Sequence, residues 1–187
     1  MIHPLVCFVM DWKKIVEKYY KDNKELEDIL VRHSEAVARK ALHAADAHPE
    51  LFIDRDFVYE AAMLHDIGIV FTDAPGIKCY GSEPYIRHGV IGGEMLRREG
   101  LPQHARVCER HTGAGLSLDD IVVQELPLPH VSLLPETLEE QLICYADKFF
   151  SKTRPDVEKT AEQAERSLAK FGEEGLKRFK EWRRMFG

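Results

Sequence analysis

A chain of 187 residues with 26 basic and 32 acidic side chains, a formal net charge of -6, suits one domain with at most a small helical appendage. That balance argues against a dedicated nucleic-acid binder, which carries a basic surplus. It leaves room for a phosphate substrate, because bound cations reverse the sign locally. Cys7, Cys79, Cys108 and Cys144 lie far apart without a C-x-x-C pair, which suits free thiols in a reducing cytosol rather than disulfides or structural zinc.

Residues 1–10 are apolar but lack a basic start and are too short to span a bilayer. They are expected to be an ordered leader on the domain, or an extension upstream of a natural start at Met10. No other stretch approaches membrane-spanning length, so the expected location is cytoplasmic, with no membrane partner. Trp12, Ile15, Val16 and Tyr19 form a first stripe at helical spacing. Leu26, Leu30, His33, Val37 and Ala41 form a second, which puts His33 on a buried face. A third helix is expected from about Asp56 to Asp66, with Gly68 near its C-terminal end.

Residues 69–87 have no clear period and hold Pro75, Gly76, Gly81 and Pro84, as a functional or mobile loop does. Helices follow over His88–Glu99 and from Pro102 to His111, with Pro102 in the first turn. Ser117 is placed to cap a short helix over Leu118–Gln124. Thr137 and Glu140 form a capping-box pattern opening a helix through Leu142, Ile143, Ala146, Asp147 and Phe150. From Pro155 an amphipathic segment aligns Val157, Ala161, Ala164, Leu168 and Phe171, and a last helix carries Leu176, Phe179 and Trp182. With no repeat and no convincing β-hairpin, the fold class is all-α. The expected division is a leader over 1–10, a catalytic domain over 11–154 and a helical extension over 155–187 packed on it.

The chemistry-bearing residues sit in this helical frame. His65 and Asp66 are adjacent at a helix end after Ala61, Ala62, Met63 and Leu64, and a terminus lets neighbouring side chains converge on one ion. A buried Asp is costly without a cation or hydrogen bonds, and imidazole with carboxylate suits Fe, Mn or Zn. His33 and Asp147 are further candidate ligands, each on an apolar face.

His33, then His65-Asp66, then Asp147 resembles the HD-domain phosphohydrolase superfamily, and His65-Asp66-Ile67-Gly68 looks like its HD-I-G variant, over about residues 30 to 154. The resemblance implies a helical bundle with a metal site between helices. His88 in Arg87-His88-Gly89 and His111 in Arg110-His111-Thr112 resemble the positions that ligate a second metal in two-metal subfamilies, such as the HD-type symmetrical dinucleoside tetraphosphatases and uncharacterised HD-I-G proteins. There the Asp of the pair bridges both ions, which makes Asp66 the catalytic centre. The chain departs from the HD-GYP phosphodiesterases, since Thr112-Gly113-Ala114-Gly115 follows His111. The Lys that often follows HD-I-G is replaced by Ile69.

The implied reaction is hydrolysis of a phosphoester or phosphoanhydride in a small nucleotide, with two divalent cations (Fe or Mn first; Zn, Ni, Co or Mg as alternatives) activating a hydroxide. Arg110, Lys148, Lys152 and Arg154 are candidate phosphate contacts; Asp73 and Glu83 are candidates for a general acid or a lid contact. Two other readings stand beside it: a di-iron oxygenase on the same fold, and a non-catalytic helical binding module stabilised by metal. His104, one heptad before His111, is the residue most easily mistaken for a ligand.

Overall fold

The computed structural model describes residues 10–187. The expected leader lies outside them except for Met10, which packs half-buried on the core. In chain order the helices are α1 (Trp12–Tyr20), α2 (Lys24–Ala47), α3 (Arg55–Leu64), α4 (His88–Arg98), α5 (Pro102–Arg110), α6 (Leu118–Val123), α7 (Leu138–Asp147), α8 (Ala161–Leu168) and α9 (Glu173–Phe186). Among the described residues the protein is all-α apart from a two-residue antiparallel ladder, β1 (Asp73–Ala74) with β2 (Cys79–Tyr80), pairing Asp73 with Tyr80. That hairpin, not expected from the sequence, is too short to print an alternating pattern.

Helix α2, 24 residues long, is the spine. Its stripe of Leu26, Leu30, His33, Val37 and Ala41 is fully buried, and α3, α7, α1 and α9 pack around it. Asn23 caps its start by accepting from the Leu26 amide at 3.1 Å. The reciprocal capping boxes Ser117–Asp120 and Thr137–Glu140 fix the starts of α6 and α7. Glu140 is almost wholly buried because it also takes the Glu136 amide and the Arg106 guanidinium.

Helices α4 and α5 pair closely, and α4 presses against the one-turn segment Ile67–Phe71 that follows α3. Small residues make this approach possible. A Cβ on Gly68 would lie 2.1 Å from the His88 carbonyl oxygen, and one on Gly89 2.5 Å from that of Cys108. The buried Tyr20 hydroxyl donates to the Ile67 carbonyl at 2.8 Å, tying α1 to the same segment.

The C-terminal segment differs from its expected stripe. Helix α8 starts only at Ala161, after the Thr160 cap. Ala164 and Leu168 are buried, but Val157 and Phe171 are exposed. Gly172, at φ +116°, turns the chain there, and α9 then packs Phe179, Trp182 and Phe186 inward, with Phe179 and Phe186 against Tyr145 of α7. Cys79, Cys108 and Cys144 are buried free thiols. No helix among the described residues is long and apolar enough to cross a membrane.

Candidate metal centre

Helix α3 ends at Leu64, and the backbone leaves helical geometry at Asp66 (φ -107°, ψ 10°) before the Ile67–Phe71 turn. This break lets two adjacent side chains, which an unbroken helix would splay about 100° apart, face one point. His33 reaches that point from the middle of α2 and Asp147 from the last residue of α7. His33 Nε2 lies 3.1 Å from Asp66 Oδ2 and 3.0 Å from Asp147 Oδ1; His65 Nε2 lies 3.0 Å and 3.6 Å from the same oxygens. All four residues are buried.

A second group meets the other carboxylate oxygen. His88 Nε2 and His111 Nε2 are 3.0 Å apart and lie 3.4 Å and 3.2 Å from Asp66 Oδ1. Asp66 therefore stands between two groups of ligand-type side chains, His33, His65 and Asp147 on one side and His88 and His111 on the other, with one oxygen toward each. His33, His65, Asp66 and Asp147 meet the distances of one metal-ligating set, and Asp66, His88 and His111 those of a second.

The local backbone fixes which imidazole nitrogen faces inward. Helix ends leave carbonyls without intrahelical partners; His65 and His111 use such carbonyls, and His88 shares the Tyr85 carbonyl with its own backbone amide. The Nδ1 atoms of His65, His88 and His111 pair with the carbonyls of Ala62, Tyr85 and Cys108, each three residues back, at 2.6, 2.7 and 2.7 Å. A carbonyl only accepts, so Nδ1 holds the proton and Nε2 points inward.

Electrostatics separate the two groups. Burial pushes His88 down to about 3 and lowers His111, so both rings are neutral. With Nδ1 protonated, their Nε2 lone pairs face each other and Asp66 Oδ1, an arrangement of acceptors that a cation satisfies and a protein proton does not. Burial opposes a charge on His65 too, but the Asp66 and Asp147 carboxylates outweigh it and hold it up at about 9. Burial also opposes ionisation of Asp66 and Asp147, yet neighbouring Lys152 and Lys148 keep both well below the usual carboxylate range. His33 Nε2, His65 Nε2 and Asp66 Oδ2 approach one another without hydrogen-bond geometry. Donors arranged round a shared centre produce that result, so the residues present fit a pair of divalent ions of the imidazole-carboxylate class.

The structure sorts the remaining candidates. Lys152 Nζ lies 2.6 Å from Asp66 Oδ2, and Lys148 Nζ lies 2.7 Å from Asp147 Oδ2. Both line a cavity of about 450 Å³ that opens on Asp147. Lys159, which sequence reasoning passed over, lines it as well and donates to the Lys148 carbonyl at 3.3 Å. Arg110 is drawn away to Glu136 and the Leu134 carbonyl, where it braces a loop. Arg154 is exposed outside the cavity wall, Asp73 is exposed on β1, and Glu83 pairs with Arg87 at 3.2 Å. None of these four joins the cluster.

His104 also lies apart, edge-on to Phe57 with ring centroids 4.9 Å apart. Glu60 is 3.6 Å away, too far to hydrogen-bond, and burial pushes His104 down to about 4. Since its unfolded value is ~6.5, the stability it contributes is complete above that pH and is lost as pH falls toward 4. A His104→Leu variant should gain on the wild type by on the order of 1–2 kcal/mol between pH 7 and 4, after allowance for solvent screening. Thermal melts of the pair at each pH check this; a constant difference would refute it.

The HD domain family model matches residues 30–151, the span that carries both ligand groups. The chain belongs to the HD-domain superfamily of metal-dependent phosphohydrolases. Its buried His/Asp groups support an HD hydrolase that uses metal. Among curated proteins the chain is 34% identical over 133 residues to the tRNA (cytidine(56)-2'-O)-methyltransferase of Picrophilus torridus, covering 71% of this chain and 34% of that one. The protein of that name from Thermoplasma volcanium is 34% identical over 125 residues, 66% of this chain and 32% of its own. The chain thus spans about a third of the length of either methyltransferase. An uncharacterised protein of Methanocaldococcus jannaschii is 33% identical over 145 residues, 75% of this HD-domain chain and 78% of the relative. No solved structure matches the chain.

Proposed function

We propose that this HD-domain protein hydrolyses a phosphoester or phosphoanhydride of a small nucleotide, using two divalent cations held by His33, His65, Asp66 and Asp147 on one side and Asp66, His88 and His111 on the other. The observation that carries the proposal is the division of Asp66, with Oδ2 facing His33 and His65 and Oδ1 facing His88 and His111. Bound there, a pair of ions supplies a water acidic enough to attack at neutral pH and positive charge for phosphoryl oxygens.

The chain's own groups do the rest. Asp66 would belong to both sites, since its two oxygens face different groups of ligand-type side chains. The three Nδ1–H···O=C bonds hold His65, His88 and His111 in the ligating tautomer before any substrate arrives. Lys148, Lys152 and Lys159 give the cavity a cationic wall in a protein of net charge -6, which draws phosphate to this place rather than to the surface at large. Lys148 and Lys152 are each tethered to a carboxylate, so their ammonium groups are positioned for phosphate oxygens beside the reacting centre.

The names of the methyltransferase relatives offer a second reading, in which the chain acts on or beside tRNA. The acidic balance and the lysine-lined cavity beside Asp147 favour a small phosphate ester instead. The test is phosphate release from nucleotides, dinucleoside polyphosphates and cyclic dinucleotides by protein reconstituted with Mn, Fe, Co, Ni, Zn or Mg. Turnover of at least one small nucleotide is expected. Oxygen consumption without phosphate release, or no turnover with any metal, would overturn the proposal.

A further inference from the structure

The cavity beside Asp147 continues past its cationic wall. A second cavity of about 470 Å³ shares Tyr85, Gly113, Leu168 and Phe171 with it, so the two form one cleft. Each is large enough for part of a small ligand. Leu168, Phe171 and the start of α9 all lie beyond the residues matched by the family model, so the C-terminal segment supplies one side of the outer half.

The two halves differ in charge. Lysines 148, 152 and 159 line the inner one, while Asp120, Glu173 and Glu174 line the outer one. Arg178 is the one basic side chain lining the outer half among the described residues. Its guanidinium is committed to the carbonyls of Ala114 and Gly115 at 2.9 and 3.0 Å. A second phosphate is therefore unwelcome there. Leu116, Leu126 and Leu168 supply apolar wall, and Phe171 stands at the shared rim with 78% of its surface exposed. An aromatic ring left in water at the edge of an apolar cavity is a surface on which another flat ring can stack.

We propose that the outer half is a base subsite: it takes the nucleobase of a nucleotide whose phosphate rests on the lysines, and it prefers bases bearing an exocyclic amino group. Phe171 supplies the stacking face. The carboxylates of Glu173 and Glu174 and the amide oxygen of Gln124 accept from the amino edge, a contact that uracil cannot make. This specificity assignment rests on the phosphohydrolase reading for its phosphate half only.

Nucleoside binding to the full chain tests it without requiring turnover. Adenosine and cytidine should bind more tightly than uridine. Phe171→Ala should weaken adenosine about 10-fold or more, the usual loss for one base–aromatic stack, and Phe171→Trp should restore it. Glu173→Gln with Glu174→Gln should narrow the preference over uridine. In hydrolysis, the KM of a nucleotide relative to that of ribose 5-phosphate should rise about 10-fold in Phe171→Ala. Adenosine binding indifferent to Phe171, or equal KM changes for both esters, would overturn the subsite. Phe171-dependent nucleoside binding with no phosphate ester hydrolysed would instead sink the phosphohydrolase reading and leave the subsite standing.

Discussion

Asp66→Ala is expected to leave the protein with almost no bound metal and to cut hydrolysis by at least ~10³-fold, while His88→Ala keeps about one ion per chain. The asymmetry follows from the geometry. Among the described residues Asp66 is the only side chain common to both ligand groups, and each of its oxygens is within 3.4 Å of the imidazoles on its side. His88 belongs to one group alone. Charge stabilisation at a two-metal site amounts to several kcal/mol, and ~1.36 kcal/mol is a factor of ten in rate. Alanine is the informative change, since it removes both oxygens while leaving Lys148 paired with Asp147. Metal analysis of loaded, desalted protein, together with phosphate release, reads both effects. Two ions retained with full turnover in Asp66→Ala would remove the basis of the proposed function.

Much of this arrangement was legible because each residue sits where helical periodicity or a helix end makes its position readable. His33 lies in a stripe of Leu26, Leu30, Val37 and Ala41, and that stripe is buried as a unit. His65 and Asp66 follow an apolar run at a helix end, and the break after Leu64 brings them together. His88 and His111 carried no periodic signal and were reached only through resemblance to two-metal families. Nearness in sequence misled for Arg110, whose neighbour His111 points inward while its own guanidinium turns to Glu136. Lys159 gave no signal, because the chain after Pro155 brings it back to the cavity by a path no local pattern encodes. Phe171 continued the stripe of α8 on paper, but the helix ends before it and Gly172 redirects the backbone.

Gly68→Ala should be the most damaging single methyl group that can be added near the centre. Its Cβ would lie 2.1 Å from the His88 carbonyl oxygen and 2.4 Å from the Gly92 amide nitrogen, both backbone atoms of α4. A flexible side chain could turn aside, but a helix backbone must move as a body. Overpacking of this kind costs about 1–3 kcal/mol and more where relief is blocked. A loss of about 3 kcal/mol corresponds to a Tm lower by roughly 6–12 °C for a chain of this size. The displaced element starts with His88, whose Nε2 must stay near Asp66 Oδ1, so the second ion should be lost before the first. Gly76→Ala is the control, since its Cβ would meet nothing within 4 Å. Thermal melts and metal titrations of the two variants separate the outcomes. A Gly68→Ala protein as stable as Gly76→Ala, with both ions held normally, would show that α4 does not depend on this close approach to position His88.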